Sequence, residues 1–301
     1  MNEEAGKGGQ AMSRLSISER LPAEAHVGAV HLQISDLPRS LEYYQTVLGM
    51  DVLERAPGRA SIGVKGAAPL TYLIEKKGVA PVPRRGRFGL YHFAVLLPDR
   101  AALGRFAAHV LRLGLRPGMA DHAVSEALYL SDPDGLGIEV YADRPRATWA
   151  YRAQELVMTT EHLDVGSLIA AGEANDWSRA PEATTMGHVH LHVGDLAKAE
   201  AFYHRALGFD KTLWSYPGAL FLSAGGYHHH LGTNVWSAGP SASPDEARLL
   251  EWELVVPERR QTSDIAQRLR GDGYAVDDAP DGVRTRDPWG TQVHVRSEPG
   301  R

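Results

Sequence analysis

An internal repeat constrains this chain more than any other feature. The segment LPRSLEYYQTVLGM at 37–50 matches LAKAEAFYHRALGF at 196–209, and YHFAVLLPD at 91–99 matches LEWELVVPE at 250–258. The same offset separates the members of both pairs, so the two matches belong to one duplication. Two copies of one sequence fold into two similar units, which bury their apolar surfaces against neighbouring elements.

Each copy contains a smaller pattern twice. A short strand leads through a polar turn into an amphipathic helix, which ends at a glycine such as Gly49 or Gly114. Further strands follow, separated by turn signals such as APGRA, SDPDG and RDPWG. The chain is therefore predicted to be α+β, with four βαβββ modules that begin near residues 27, 89, 187 and 250.

The modules predict a division of the chain into domains. We expect an N-terminal domain of two modules at 27–142 and a C-terminal domain of two modules at 187–296. Residues 143–186 lack the repeat and are predicted to form a linker, in which DVGSLIAAGEA forms a short helix. Residues 1–25 lack the apolar core of a signal peptide and are predicted to be a flexible leader.

Composition excludes several classes of function. The 301 residues carry a net charge of −5, which argues against binding to nucleic acid or to an anionic membrane. The absence of cysteine excludes disulfides, thiolate metal ligands and a cysteine nucleophile. No run approaches the roughly 20 apolar residues of a membrane span. We expect a cytoplasmic protein that acts on a small molecule.

The motifs resemble those of a known superfamily. One module contains GDL, FY and LGF, and another contains DPDG followed by a glutamate. These motifs are similar to those of the vicinal oxygen chelate superfamily. Its members include glyoxalase I, fosfomycin and bleomycin resistance proteins, and extradiol dioxygenases. The resemblance covers nearly all of residues 27 to 296. It implies that pairs of modules form two open mixed-β barrels, with metal ligands on the first and last strands of the modules.

Six residues occupy those ligand positions. The first strands supply Ala29, His92, His188 and Glu251, and the last strands of modules two and four supply Glu139 and His294. Strand alternation turns the histidines away from the apolar face that covers the helices. Two histidines and one carboxylate form the set that non-haem Fe(II) uses with open coordination positions. His92, Glu139 and His188 are the candidate metal ligands, and Mn(II) suits the same atoms; the ordinary alternative is buried core histidines beside an edge-strand glutamate.

Two pairings of the modules are open at this point. Modules three and four together would unite His188, Glu251 and His294, whereas modules two and three would unite the candidate set. Module two, DHAVSEALYLSDPDGLGIEVY, resembles the extradiol signature, with Tyr129 ten residues before its glutamate. Module four has Arg284 at the place of that tyrosine. The resemblance therefore favours the crossed pairing of modules two and three, with Glu251 and His294 left as a polar pair or a second metal site.

The stretch GGYHHH at 225–230 closes module three. Extradiol enzymes carry a His-His pair at this place, and the resemblance puts the catalytic acid/base at His229, with His230 as the alternative. Histidine suits that role because its ordinary pKa is about 6.5. The resemblance also implies that Tyr129 donates a hydrogen bond to a substrate oxygen and that His122 lines the pocket.

The whole chain most resembles bacterial catechol 2,3-dioxygenases. This implies an oxidoreductase of aromatic compound catabolism, an Fe(II)-dependent extradiol (meta) ring-cleaving dioxygenase acting on catechol or a substituted catechol with O2. The alternatives are a metal-dependent glyoxalase-type isomerase or lyase and a metal-free small-molecule-binding resistance protein, since the fold hosts all three. Metal content and oxygen uptake separate them. The resemblance also implies a homo-oligomer, which is usual for such chains.

Overall fold

Two mixed sheets form the framework of the protein. The computed structural model describes residues 20–83, 86–172 and 176–298, and within these ranges two sheets contain eight strands each. Short helices cover the sheets, which is the predicted α+β arrangement. No helix of the described ranges is both long and apolar enough to cross a membrane.

The four modules repeat one order of elements, a strand, a helix and three strands. Module one contains β1 (His26–Ile34), α1 (Leu37–Thr46), β2 (Asp51–Ala56), β3 (Arg59–Gly63) and β4 (Pro69–Glu75). Module two contains β5 (Gly89–Leu96), α2 (Arg100–Arg112), β6 (Gly118–Asp121), β7 (Ser125–Ser131) and β8 (Gly137–Asp143). The linker contains a 3-10 turn (Arg146–Thr148), β9 (Tyr151–Arg152), β10 (Glu155–Leu156) and α3 (Val165–Ala171).

The second half repeats this order. Module three contains β11 (Thr185–His192), α4 (Leu196–Ala199) with a π-helical continuation (Glu200–Ala206), β12 (Asp210–Leu213), β13 (Ala219–Ser223) and β14 (Leu231–Asn234). Module four contains β15 (Arg248–Val256), α5 (Arg259–Gly271), β16 (Val276–Ala279), β17 (Gly282–Arg286) and β18 (Gln292–Ser297).

Each sheet joins one module from each half of the chain. One sheet has the order β16-β17-β18-β15-β1-β4-β3-β2, and the other has the order β12-β13-β14-β11-β5-β8-β7-β6. The central contacts are antiparallel pairs, β1 with β15 and β5 with β11. The crossed pairing of modules two and three is therefore confirmed. The segments 27–142 and 187–296 are units of repetition, and the sheets unite strands from both.

The helices begin in a common way. Asp36, Asp99 and Asp195 each accept a hydrogen bond from the backbone amide three residues later, at the start of α1, α2 and α4. Such caps satisfy backbone amides that lack a partner inside the helix. The sequence therefore specifies where each helix starts, directly after a first strand.

Alternation along the first strands separates an apolar face from a polar one. On β11, Val189 and Leu191 are fully buried in the main core, whereas His188 and His190 belong to the opposite face. Burying each large apolar side chain contributes about 1.5–3 kcal/mol, which makes a shift of register by one residue costly. The histidines are thereby directed to the concave side of the sheet.

Parts of the chain outside the repeat also contact the core. The linker helix α3 packs against α2 so closely that a Cβ at Gly104 would overlap the Leu168 carbonyl. Of the expected leader at 1–25, residues 1–19 lie outside the described residues. In the remainder, Leu21 and Ala25 are buried, and the Leu21 amide donates to the Gly208 carbonyl.

The crossed pairing predicts how fragments behave. Segments 20–160 and 161–298, expressed separately, should lack cooperative unfolding in urea, because each sheet would lose half of its strands. Mixed or co-expressed, the two segments should recover native far-UV circular dichroism and a cooperative transition. A cooperative transition in either segment alone would show that the modules of one half can pair with each other.

Candidate active site

Three neighbouring strands carry the candidate ligands. In the antiparallel pair of β11 and β5, His190 lies opposite His92 and His188 lies opposite Ala94. In the parallel pair of β5 and β8, Ala94 lies opposite Glu139. The three candidate ligands are thus brought together at the centre of one sheet, from strands far apart in the chain.

The donor atoms of this group are close enough to share one ion. His92 Nε2 lies 2.9 Å and His188 Nε2 lies 3.1 Å from Glu139 Oε2. Ligand atoms of the three residues all lie within 4.8 Å of one another, and all three side chains are buried. Among the described residues, no other His, Cys, Asp and Glu side chains form such a group.

The charges of the group also fit a cation. Burial alone would raise the pKa of the Glu139 carboxyl, but the neighbouring His188 and His92 hold it well below its usual value. Burial lowers the pKa of His188 to about 4, although Glu139 acts in the opposite direction. At neutral pH the carboxylate is therefore ionised beside a neutral imidazole.

An unpartnered atom points to the same conclusion. His92 Nε2 is buried without a hydrogen-bond partner among the described residues, since its approach to Glu139 lacks hydrogen-bond geometry. A buried carboxylate and an unpartnered imidazole nitrogen are costly unless something compensates them. A divalent cation would satisfy both, so the donor set fits a metal of the non-haem iron type.

A cavity of about 350 Å³ opens onto the group. His92, Glu139, His122, Tyr129 and His229 all contribute to its wall. The remaining wall is largely apolar or aromatic, and its larger side chains are Tyr91, Val124, Met158, Tyr216, Phe221 and Trp236. The size and lining suit one small aromatic molecule.

Two of the predicted site residues form a hydrogen-bonded chain. His122 Nδ1 lies 2.6 Å from the Thr159 carbonyl, and His122 Nε2 lies 2.6 Å from the Tyr129 hydroxyl. A carbonyl only accepts, so Nδ1 of a neutral His122 carries the proton and Nε2 accepts from Tyr129. The Tyr129 hydroxyl thus lies at the cavity wall between His122 and Glu139. The expected donation by Tyr129 to a substrate stays a prediction.

The two histidines that the sequence left as alternatives lie in different surroundings. The His229 ring lines the cavity, and its centroid is 4.0 Å from that of His188. Burial, followed by the neighbouring His188, holds the pKa of His229 well below its usual value. His230 Nδ1 instead accepts from the Ala224 amide, and this side chain is not among the described residues that line the cavity. The geometry favours His229 for contact with a ligand.

Comparison with known proteins identifies the family. A family model described as the Glyoxalase/Bleomycin resistance protein/Dioxygenase superfamily matches residues 25–140 and 185–295. The chain belongs to this superfamily. It is 43% identical over 271 residues to the catechol-2,3-dioxygenase of Bacillus subtilis (strain 168). The aligned region covers 88% of this chain and 94% of that protein.

Solved structures share the fold at low sequence identity. One of them is a proposed dioxygenase from Bacillus subtilis (subsp. subtilis str. 168). It superposes with a TM-score of 0.65 at 12% identity, and the match covers 93% of this chain and 87% of that one. Glyoxalase I from Zea mays superposes with a TM-score of 0.55 at 17% identity, covering 91% and 92%. These likenesses show that the fold is shared over more than nine-tenths of the chain.

Sequence reasoning did not single out several residues of the site. His190 lines the cavity with its ring 5.0 Å from that of His92, and Asn234 Nδ2 donates to its Nε2. Strand alternation had placed His190 on the correct face without assigning it a role. The linker residues 158–160 also line the cavity. No pattern indicated them, because they lie outside the superfamily repeat.

Among the described residues of the other sheet, no equivalent metal group is found. Arg284 Nε lies 2.7 Å from Glu251 Oε2, and Arg284 Nη2 lies 3.2 Å from His294 Nδ1. The guanidinium thus contacts both residues that the sequence had proposed for a second or alternative metal site. Ala29 lies at the position that corresponds to His188 and offers no ligand. The alternative of a hydrogen-bonded polar pair describes Glu251 and His294 in this structure.

Replacement of Arg284 by methionine should leave Glu251 buried beside no cation. Breaking one side of a buried pair costs about 3–5 kcal/mol, and the partial exposure of Arg284 places the expected loss near the lower end. The free energy of unfolding in urea measures this. Arg286→Met, on the same strand but exposed, is the matched control and should change stability by less than about 1 kcal/mol. Equal stability of the two variants would contradict the proposed role of the guanidinium.

Proposed function

We propose that this chain is an extradiol dioxygenase that uses Fe(II) and O2 to open the ring of a catechol beside its two hydroxyls. The observation that carries the proposal is the buried group of His92, Glu139 and His188, of which His92 and Glu139 line a cavity together with His229 and Tyr129. The 43% identical relative, named catechol-2,3-dioxygenase, supports the choice of reaction. Mn(II) remains the second candidate for the metal because it accepts the same nitrogen and oxygen ligands.

The three ligands would hold the metal through two imidazole nitrogens and one carboxylate. When bound there, Fe(II) would supply a centre for both catechol oxygens and O2 and would lower the pKa of the phenol. The protein's contribution is to keep Glu139 ionised and His188 neutral within a buried sheet. Preformed ligands need little rearrangement when the metal enters.

His229 is proposed to accept the proton that a catechol hydroxyl loses on binding. Its ring lines the cavity and packs against His188, so its free nitrogen would lie close to a substrate bound at the metal. A low pKa makes it neutral before the substrate arrives, as a base must be. The same nitrogen can return the proton as the ring opens.

Tyr129 and His122 are proposed to orient the substrate oxygen. Burial, together with the charge of Glu139, raises the pKa of Tyr129 well above its usual value, so the hydroxyl stays neutral. Held by His122, the Tyr129 hydroxyl is placed to form a hydrogen bond with an oxygen of the ligand. Thr159 holds His122 in place from the linker.

The cavity wall also favours a class of catechol. None of the described side chains that line it is a lysine or an arginine, so a carboxylate on the ring would lose hydration without gaining a partner. Met158, Phe221 and Trp236 supply apolar surface instead. The proposed substrate is an uncharged catechol that carries hydrogen or a small apolar substituent.

Iron-loaded protein, prepared without air, should consume oxygen and form a yellow ring-opened product when catechol and air are added. His92→Ala should bind less metal and lose more than about a hundredfold in kcat/KM, since even outer-shell changes at metal sites cost 10–100-fold. His294→Ala, in the other sheet, should keep metal content and activity. The reverse result would move the iron to modules three and four.

Oxygen uptake also tests the alternatives. A parent that binds metal and isomerises hemithioacetals without consuming oxygen would support a glyoxalase-type enzyme. A parent that binds neither Fe(II) nor Mn(II) would support a metal-free binding protein.

Substrate charge gives a separate prediction. The kcat/KM for 4-methylcatechol should exceed that for 3,4-dihydroxybenzoate by at least about a hundredfold, equivalent to about 2.7 kcal/mol. Met158→Lys, which adds a cation to the wall, should narrow this ratio, while Leu111→Lys on the exposed end of α2 should not. Comparable efficiency with both substrates in the parent would contradict the assignment of an uncharged catechol.

A further inference from the structure

We propose that Asp143 and His228 are positioning residues that fix the tautomer of His229, so that its Nε2 presents a lone pair to the cavity. The inference rests on the proposed function of His229 as a base, and it extends the site to two residues behind it. Neither residue lines the cavity among the described side chains, and both act through His229 alone.

Three side chains form a continuous hydrogen-bonded row. His228 Nε2 lies 2.9 Å from Asp143 Oδ1, and His228 Nδ1 lies 2.8 Å from His229 Nδ1. His228 is fully buried, so water does not compete for either of its nitrogens. Asp143 is the last residue of β8, the strand that also carries Glu139. The row therefore starts from the same strand as the carboxylate ligand.

The chemistry of the atoms gives the row a direction. A carboxylate oxygen only accepts hydrogen bonds, so Nε2 of His228 carries the proton in their contact. A neutral imidazole has one proton, so His228 Nδ1 presents a lone pair and must accept from His229 Nδ1. His229 then has its proton on Nδ1, and its Nε2 is left as the acceptor. In a free imidazole both tautomers exist, and a partner on one nitrogen decides between them.

Packing holds the His228 ring in place. The ring lies against Trp149, Tyr227 and Tyr141, at centroid distances of 5.5, 4.1 and 5.8 Å. The direction of the row given above is that of a neutral His228. A doubly protonated His228 would reverse the row, and the experiment below distinguishes the two cases.

Further contacts hold Asp143 in place. The Tyr227 hydroxyl donates to Asp143 Oδ1 over 3.2 Å, and the Tyr141 and Tyr227 hydroxyl oxygens are 2.6 Å apart. The Tyr141 hydroxyl approaches β11 so closely that a Cβ at Gly187 would overlap it. The absence of a side chain at 187, beside the ligand His188, thus allows these hydroxyls to reach the aspartate.

His229 is fixed from its other sides as well. Its ring lies 4.0 Å from the His188 centroid and 5.0 Å from the Phe221 centroid. Its Nε2 makes no hydrogen bond to another described residue. Packing holds the ring plane, and the row from Asp143 decides which nitrogen is basic. The same division of labour occurs when an aspartate orients a catalytic histidine, where its replacement by asparagine costs about 10⁴-fold in kcat.

The chain contains a matched control for Asp143. In the other sheet, Asp281 Oδ1 lies 2.9 Å from His294 Nε2, so the same kind of pair holds a buried histidine far from the proposed metal. Asp281→Asn removes the same charge from an equivalent contact. Any effect confined to Asp143→Asn is therefore due to the row that ends at His229.

The first test reads the tautomers directly. Nitrogen NMR of histidine-labelled protein, loaded with diamagnetic Zn(II), should show His229 protonated at Nδ1 and His228 protonated at Nε2. In Asp143→Asn, whose amide can donate to His228 Nε2, the His229 proton should move to Nε2 in a large fraction of molecules. Asp281→Asn should leave both signals unchanged. A parent with His228 doubly protonated, or with His229 protonated at Nε2, would overturn the inference.

The second test reads the consequence in iron-loaded protein. Asp143→Asn should lower kcat for catechol by about 10- to 1,000-fold, with KM and bound iron close to those of the parent, while Asp281→Asn keeps parental kcat. Unchanged kcat in an Asp143→Asn protein whose tautomer has shifted would refute the role of the row. If the parent itself consumes no oxygen with any catechol, the proposed function fails, whereas the NMR result still decides the tautomer.

Discussion

The antiparallel pairing of β5 with β11 is the contact on which the rest of the site depends. It places His92 and His188 on one face of one sheet although they belong to different halves of the chain. A slip of one residue would turn one of these histidines toward the apolar core, because strand side chains alternate. The fully buried Val189 and Phe93 oppose such a slip, since they would have to leave that core. Hydrophobic burial on one face thus sets the geometry of polar atoms on the other.

The two sheets differ in how they stabilise a buried carboxylate. Both carry buried carboxylates near their centre, and a buried carboxylate requires a cation or several hydrogen bonds. Around Glu251 the chain supplies the positive charge itself, through Arg284. Around Glu139 the neighbours are the imidazoles of His92 and His188, burial lowers the pKa of His188 to about 4, and the proposed metal would supply the positive charge. Several differences at equivalent positions separate the two sites: Tyr129 against Arg284, His188 against Ala29, His92 against Glu251, and Glu139 against His294.

Much of this arrangement was predictable from the sequence, and the reason is periodicity. The repeat gave the four modules, strand alternation gave the histidine face, and the signature around Tyr129 favoured the crossed pairing that the sheets confirm. The direction of the Tyr129 hydrogen bond was not predictable, because it depends on the Thr159 carbonyl in a linker without any period. The row behind His229 was hidden for a similar reason, since Asp143 is distant in sequence and shares no motif with the histidines. The π-helical residues 200–206 also escaped prediction, because the apolar spacing there resembles that of an ordinary helix.

The nested order of the modules bears on how relatives of different layout compare with one another. Here module one pairs with module four, and modules two and three, which lie between them in the sequence, pair with each other. If the two ends of the chain were joined and the chain were opened between modules one and two, consecutive modules would pair with each other. A chain that began at module two and finished with module one would build the same two sheets from successive modules. Nested and consecutive layouts are in this sense one topology cut at two places, and sequence alignments that run from end to end will match modules that are not spatial counterparts.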